Sequence, residues 1–398
     1  MSEAGPSTTR PRVALIATTY HAVSHADVLG TRLIEGYEWR GSHVPSRVEV
    51  ASLYVEQSGA TSATGHRPDI GAEIAQRNGI PVFATIAEAI GLGCPGVAVD
   101  GVVLIGEHGD YELNQYGQKL YPRRRFFDAA VAAMVSSGRF VPVFNDKHLA
   151  WNFVDASAMW ETARRLGIPL LAGSTVPLTW RSPTGAQWPI GEPMRSAVAV
   201  GYGPAEAYDF HILEGLQTHA ERRAGGETGV RSVRTLSGAG ALHAVQNGTV
   251  DAGLLDTALG ALGLDRRRRE LAIAGIEHVI LIEYADGLRA AAVNCGQEVA
   301  NFAAACAGPG GTMACQTVLE DEPWGHFVFL ARQVEALVLT GTAPYPVERT
   351  LLTTGVLDAA MRSLHAGGEE VVLPLDISYA AVSDIPDTGI DAEVSVLQ

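Results

Sequence analysis

From Arg12 to Ser174, short apolar β-rich runs alternate with helical patterns, and this rhythm constrains the fold more than any other feature of the chain. Parallel neighbouring strands need a crossover long enough to hold a helix, so a βα alternation builds a parallel sheet with helices on its faces. The runs Val13–Ala17, Val48–Leu53, Pro81–Ala84, Gly101–Ile105, Val141–Phe144 and Pro169–Ala172 read as strands. Helical patterns cover Asp27–Glu35, Ile70–Arg77 (ended by Asn78-Gly79), Ile86–Ile90, Phe126–Val135 and Asp155–Leu166, and a polar loop runs from Gln57 to Pro68. Six strands in this order predict one doubly wound parallel sheet.

Beyond Ser174 the pattern changes to longer extended stretches, Ser196–Val200, Val230–Leu236, His278–Tyr284, Leu288–Asn294 and Thr312–Leu319. These suit an α+β unit with a mostly antiparallel sheet and helices on one face, with helices at Ala207–Arg223 and Val347–Leu364. A chain of 398 residues exceeds the roughly 250–300 residues at which single cores stop growing. Domains over residues 10–175 and 176–398 are expected, with the helix 347–364 packing back on the first.

A formal charge of −15 speaks against nucleic acid as a partner, because phosphate binding needs a basic surface. The short basic runs Arg123–Arg125 and Arg266–Arg269 read as solvated faces. Cys94, Cys295, Cys306 and Cys315 lack C-x-x-C spacing and read as reduced thiols. The amino end, Met1–Pro11, is polar without an apolar core, so no membrane association and a cytoplasmic location are expected. A small-molecule substrate remains the expected partner.

The segment VDGVVLIG from Val99, the helix FFDAAVAAMVSSG and the stretch RFVPVFNDKHLAWNFVDASAMWETARRLGIPLLAGS resemble the fourth to sixth strands of the glucose–fructose oxidoreductase, inositol dehydrogenase and MocA (Gfo/Idh/MocA) family. The closing PVERTLLTTGVLDAAMRSLHAGGEEVVLP is similar to that family's last segment. The resemblance implies a Rossmann-like first domain, an oligomerising second domain and therefore a homo-oligomer. Asp146-Lys147-His148 resembles the family's Glu-Lys-Pro motif and places its lysine at Lys147. DFHILEG resembles the histidine segment, with His211 on the catalytic histidine and Glu214 on the last acidic position; Ala207 holds the leading aspartate position, so Asp209 would have to substitute. The family's Gly-x-Gly-x-x-Gly is replaced by Ala17-Thr18-Thr19-Tyr20-His21-Ala22-Val23-Ser24-His25, where no glycine lets backbone N–H groups approach a pyrophosphate. Glu56 meets the ribose-binding position only with a shifted register.

Ligands bind beyond the carboxyl ends of parallel strands. The densest polar cluster, Glu107-His108-Gly109-Asp110-Tyr111, follows the fourth strand there, and Asn114, Lys119, Tyr121 and Arg123 come after it. His21 and His25 follow the first strand, and Asp146 and His148 the fifth. These imidazoles and carboxylates suit a divalent Zn, Mn or Fe ion, with His21, His25, Glu107, His108 and His148 as candidate ligands; a metal-free acid/base site is the competing reading. Lys147, His211, Asp146 and Tyr111 are the candidate catalytic residues. Tyr20, Asn114, Lys119, Tyr121, Arg123, Trp151, Arg181 and Glu214 are candidate substrate contacts, the aromatic rings suiting sugars.

Three functions follow. The first is metal- or acid/base-assisted lyase, isomerase or hydrolase chemistry on a small polyhydroxylated or carboxylated substrate. The second is an NAD(P)-dependent sugar or polyol oxidoreductase with an atypical phosphate loop, and the third a non-catalytic binding subunit.

Overall fold

The computed structural model describes residues 9–59, 67–372 and 375–393; most of the polar amino end and residues 60–66 of the polar loop lie outside them. The first sheet is parallel and has five strands in the order Glu49–Val55, Arg12–Ala17, Gly101–Ile105, Val143–Asp146, Leu170–Gly173. Every residue of Gly101–Ile105 is buried, as expected for a strand covered on both faces. The expected sixth strand at Pro81–Ala84 shrinks to a single bridge between Leu53 and Val82. Pro81 has no N–H to donate, and Thr85 already opens the helix Ile86–Gly91 through a capping box with Glu88, so no residues are left to extend the ladder.

The strand order reverses between Arg12–Ala17 and Gly101–Ile105, since the chain builds outward from the former in one direction and from the latter in the other. That switch point opens a crevice at the strand ends where ligands bind in this architecture. The residues entering it are Thr18–His25 and Gly106–Asp110.

The second sheet has seven strands, Val230–Ser237, His278–Tyr284, Arg289–Asn294, Ser196–Gly201, Phe302–Gly308, Gly311–Thr317 and Arg181–Ser182 in spatial order. All neighbours are antiparallel except Arg289–Asn294 beside Ser196–Gly201. Helices lie on both faces rather than one. Asp209–Ala220 and Glu348–His365 cover one side, and Ala252–Ala261 with its neighbours Ala239–Gln246 and Arg266–Ala274 the other. The basic run Arg266–Arg269 opens the last of these on the surface, where Arg266 meets Glu270 at 2.9 Å and Arg269 meets Asp256 at 2.7 Å.

Two late helices tie the layers together. Glu348–His365 packs on Val230–Ser237, Asp209–Ala220 and also Phe153–Leu166 beside the first sheet. Phe327–Thr340, absent from the sequence reading, returns to the first sheet and completes a core with Val13, Leu15, Leu29 and Leu33. Among the described residues no helix is long and apolar enough to cross a membrane.

Candidate functional site

Gly106 ends the Gly101–Ile105 strand, and a Cβ there would lie 2.6 Å from Arg123 Cγ. The missing side chain lets Arg123, the first residue of the helix Arg123–Ser137, reach under the strand end. Its guanidinium donates to Glu107, whose other oxygen lies 3.3 Å from Lys147 Nζ. All three residues are buried. Burial alone would raise the Glu107 carboxyl, but the Lys147 and Arg123 charges outweigh it and hold that carboxyl well below the usual range. Arg123 therefore is not on a solvated face; it is a buried cation neutralised in place.

Lys147 stands at the end of the Val143–Asp146 strand with φ +61°, exchanging backbone hydrogen bonds with Gly173 at 3.0 and 3.1 Å. His108 and Glu206 also take positive φ, at 69° and 59°. Such strained non-glycine residues gather where a site over-determines the backbone. From the second sheet's side, His211 Nδ1 lies 3.1 Å from Ser174 Oγ and 3.3 Å from Glu214 Oε2. Ser174 in turn donates to Glu214 through both its backbone N–H and its hydroxyl. Burial and the nearby Lys147 charge hold the His211 imidazole below its ordinary value, so it is neutral at physiological pH. A proton on Nδ1 directed at Glu214 leaves Nε2 basic.

Asp146, fully buried, accepts from His25 Nδ1 at 2.7 Å, and its Oδ1 has no partner. His108 lies 5.4 Å from the His25 ring and 5.5 Å from the His21 ring. The loops thus converge as expected, but not as a metal set: among the described residues no three His, Cys, Asp or Glu side chains are placed to hold an ion. The reason is local. Glu107 faces two cations that would repel a third. His148 donates Nδ1–H to Ala150 O at 2.7 Å and turns Nε2 toward Arg123 at 3.1 Å, so burial and Arg123 keep it neutral and its lone pair is occupied. His25 and His21 each engage only Nδ1, with Asp146 and with Ala22 O at 3.0 Å, and their Nε2 atoms, that of His21 buried without a partner, are left with His108 as the imidazoles of this corner.

Several other candidate residues are held by partners within the fold. Tyr20 is fully buried with its hydroxyl 2.8 Å from Thr31 Oγ1. Asn114 shapes a turn, accepting from the Tyr116 and Gln118 backbone N–H groups. Arg181, also buried, donates to the carbonyls of Thr179, Trp180 and Val176 and meets no carboxylate. Tyr111 gives its hydroxyl to Glu56 at 2.6 Å, away from Lys147. Asp209 pairs with His278 at 2.8 Å and with Asn294 inside the second layer. Trp151 offers its carbonyl to Gln118. Two substrate candidates stay at the site: Tyr121 sits near the Glu107 carboxylate and under Arg123, and Lys119 donates its backbone N–H to Glu206 at 3.4 Å.

Glu206 itself was missed. It lies on the turn before Asp209–Ala220, buried, with Oε1 unpartnered and 3.6 Å from His148 Nε2. Burial, reinforced by Glu107 and opposed by Arg123, pushes its carboxyl up to about 7. Nothing in Gly203-Pro204-Ala205-Glu206 marks it in sequence, since only the fold brings that turn against the first sheet.

The other half of the crevice, at the ends of Arg12–Ala17 and Glu49–Val55, is where the architecture would seat a dinucleotide, and its residues do not fit one. Pyrophosphate needs unpaired N–H groups and no nearby negative charge. Here His21 N–H donates to Ser24 Oγ at 3.2 Å, Val23 N–H to the Asp27 carboxylate at 2.8 Å and Ser24 N–H to His21 O at 2.9 Å. The following segment crosses the same loop, Ile70 N–H and Arg67 Nη1 donating to Tyr20 O and Ala22 O, each at 2.8 Å. Glu56, the residue left for a ribose, is taken by Tyr111 and by Arg125 at 2.6 Å. Gln57 closes the edge with two hydrogen bonds to the Asp110 backbone, 3.0 and 2.8 Å.

No family model and no curated protein matches the chain. Solved structures do. GenD2 from gentamicin A biosynthesis, in complex with NAD, aligns at TM-score 0.56 and 16% identity over 94% of this chain and 99% of its own. A myo-inositol dehydrogenase from Corynebacterium glutamicum aligns at 0.53 and 11%, over 92% of this chain and 99% of its own. An aldose–aldose oxidoreductase from Caulobacter crescentus, complexed with glycerol, aligns at 0.51 and 16%, over 92% and 100%. The chain has the fold of sugar and inositol dehydrogenases along nearly its whole length. That is the fold implied by the Gfo/Idh/MocA resemblance, and at these identities the likeness speaks for fold alone.

Proposed function

We propose that this chain is an enzyme on the sugar- and polyol-oxidoreductase scaffold that transfers a proton at a hydroxyl-bearing carbon next to a carbonyl of a small polyhydroxylated substrate. The observation that carries this reading is Lys147, held in left-handed backbone at a strand end, paired with Glu107 and beside a neutral His211 oriented by Glu214. In this role His211 Nε2 accepts the substrate proton, and the Lys147 ammonium stabilises the oxygen on which negative charge develops. Glu107 fixes Lys147, and Ser174 with Glu214 fixes the imidazole.

The test is deuterium incorporation in heavy water, read by NMR over a panel of aldoses, ketoses and polyols. Incorporation at one carbon, lost in Lys147→Ala and His211→Gln, is expected; incorporation unaffected by both substitutions would sink the proposal. A second reading, an NAD(P)-dependent sugar or polyol dehydrogenase, is favoured by the solved neighbours, one of them holding NAD. It uses the same pair for the hydroxyl proton but needs the loop Thr18–Asp27 to refold.

A further inference from the structure

We infer that the dinucleotide half of the crevice is permanently filled by the chain itself, so that the reaction at Lys147 and His211 is redox-neutral and uses no soluble nicotinamide. The inference rests on the proposed acid/base reading only for its second clause; the first stands on contacts already given.

The closure comes from four separate segments. In the loop after the first strand the His21, Val23, Ser24 and Asp27 N–H groups are spent internally, that of Val23 on the Asp27 carboxylate. Residues 67–70 lie across that loop, and His21 pairs with Asp69 as an isolated antiparallel bridge. Gln57 clasps the Asp110 backbone, and Glu56 is tied to Tyr111 and Arg125. The fit is close: a Cβ on Gly109 would lie 2.9 Å from Gln57 Oε1, 2.9 Å from the Tyr111 ring and 3.0 Å from Thr19 Cγ2. A dinucleotide would have to break these bonds and set its pyrophosphate against Asp27. The half-buried Tyr111–Glu56 bond resists that exchange, because its freed partners would be left unsatisfied unless the ligand replaced them. The bonds of Gln57 and Asp27 are exposed, so there the obstacles are the Asp27 charge and the space already taken.

The chemistry that remains is a proton taken from one substrate atom by His211 and returned at another, with both electrons of the broken bond staying in the substrate. This describes an isomerisation, or an elimination when the proton goes to a hydroxyl that departs as water with the electron pair of its C–O bond. No oxidant is consumed.

The experiment titrates NADH and NADPH separately against the full chain, reading nucleotide fluorescence, with hydrogen exchange of Thr18–Asp27 and Gly106–Tyr111 followed in parallel. The expected result is no saturable signal at millimolar nucleotide and unchanged exchange in both segments. Saturable micromolar binding with new protection of Thr18–Asp27 would overturn the inference. The Gln57→Ala chain, which loses both clasp bonds, should show faster exchange at Asp110 yet still no nucleotide binding; binding gained by this one change would show the filling to be a removable lid and defeat the claim of permanence. The two proposals fail differently. Nucleotide binding with Lys147-dependent deuterium incorporation leaves the function and removes this inference, whereas no binding and no Lys147-dependent incorporation does the reverse.

Discussion

The two halves of one strand-end crevice are equally polar and differ in how their polar groups are satisfied. On the outer half, at the ends of Glu49–Val55 and Arg12–Ala17, Glu56, Gln57, Tyr111, Arg125 and Asp27 bond one another or the backbone. Two buried atoms there, Thr19 Oγ1 and His21 Nε2, have no partner, and the His21 ring lies 5.5 Å from His108 on the inner half. On the inner half, at the ends of Gly101–Ile105 and Val143–Asp146, His108 Nδ1, Asp146 Oδ1 and Glu206 Oε1 are buried without partners, beside cations and strained residues. Native interiors leave few polar atoms in that condition. A polar cluster that closes on itself is structure; one that keeps unspent donors and acceptors is arranged for a ligand.

The largest expected effect is on the inner half. Lys147→Ala should lower proton-exchange turnover of the folded chain about 10²–10⁴-fold, the usual worth of a positioned acid/base group, and, because it too leaves buried Glu107 facing one cation, should also lower the urea midpoint. A turnover unchanged within about tenfold would erase the distinction between the halves. Next in size is Arg123→Met, which leaves Glu107 buried with only Lys147 opposite and should cost about 3–5 kcal/mol in urea unfolding. The double variant with Glu107→Gln should regain much of that loss; strict additivity would show that the buried pair is not coupled.

Glu206 gives a pH test. Its folded carboxyl is raised from 4.5 to about 7, so the native state holds the proton more tightly than the unfolded chain. Its favourable contribution is whole below about 4.5 and is lost as pH rises through about 7. Relative to wild type, Glu206→Gln should flatten that fall, by about 3 kcal/mol at full titration. Parallel pH profiles for the two chains would place Glu206 among the satisfied groups. The smallest effect belongs to the outer half: Tyr111→Phe removes one half-buried hydrogen bond to Glu56 and should cost about 1 kcal/mol in the same assay.

What could be read from sequence follows the same physics. Strands buried on both faces are written as unbroken apolar runs, so Gly101–Ile105 was legible to the residue. Phe302–Gly308 was not, because its alanines and cysteine carry no β-branched signature; its place between two strands of the sheet makes it extended. Lys147 and His211 stand at a strand end and on a facing helix, the places the family resemblance implies for them, because motif positions survive substitution around them. The histidine loops meet at one place, but among the described residues they form no set placed to hold an ion, and sequence does not show that Arg123 and Lys147 already occupy Glu107. Glu206 depends on contact between distant turns, and no local pattern encodes that.

The return of Phe327–Thr340 to the first sheet has a consequence in time. All five strands of that sheet leave the ribosome by Gly173, yet the helix that covers Val13, Leu15, Leu29 and Leu33 is made more than 150 residues later. Until then the nascent sheet carries an open apolar face, the condition that recruits chaperones to partly made chains. A ribosome-arrested chain stopped short of Phe327 should therefore be cut readily by protease within its first 173 residues, and one extended well past Thr340, beyond the exit tunnel, should not. The order in which this polypeptide is written leaves one face of its first sheet uncovered until Phe327–Thr340 has been added.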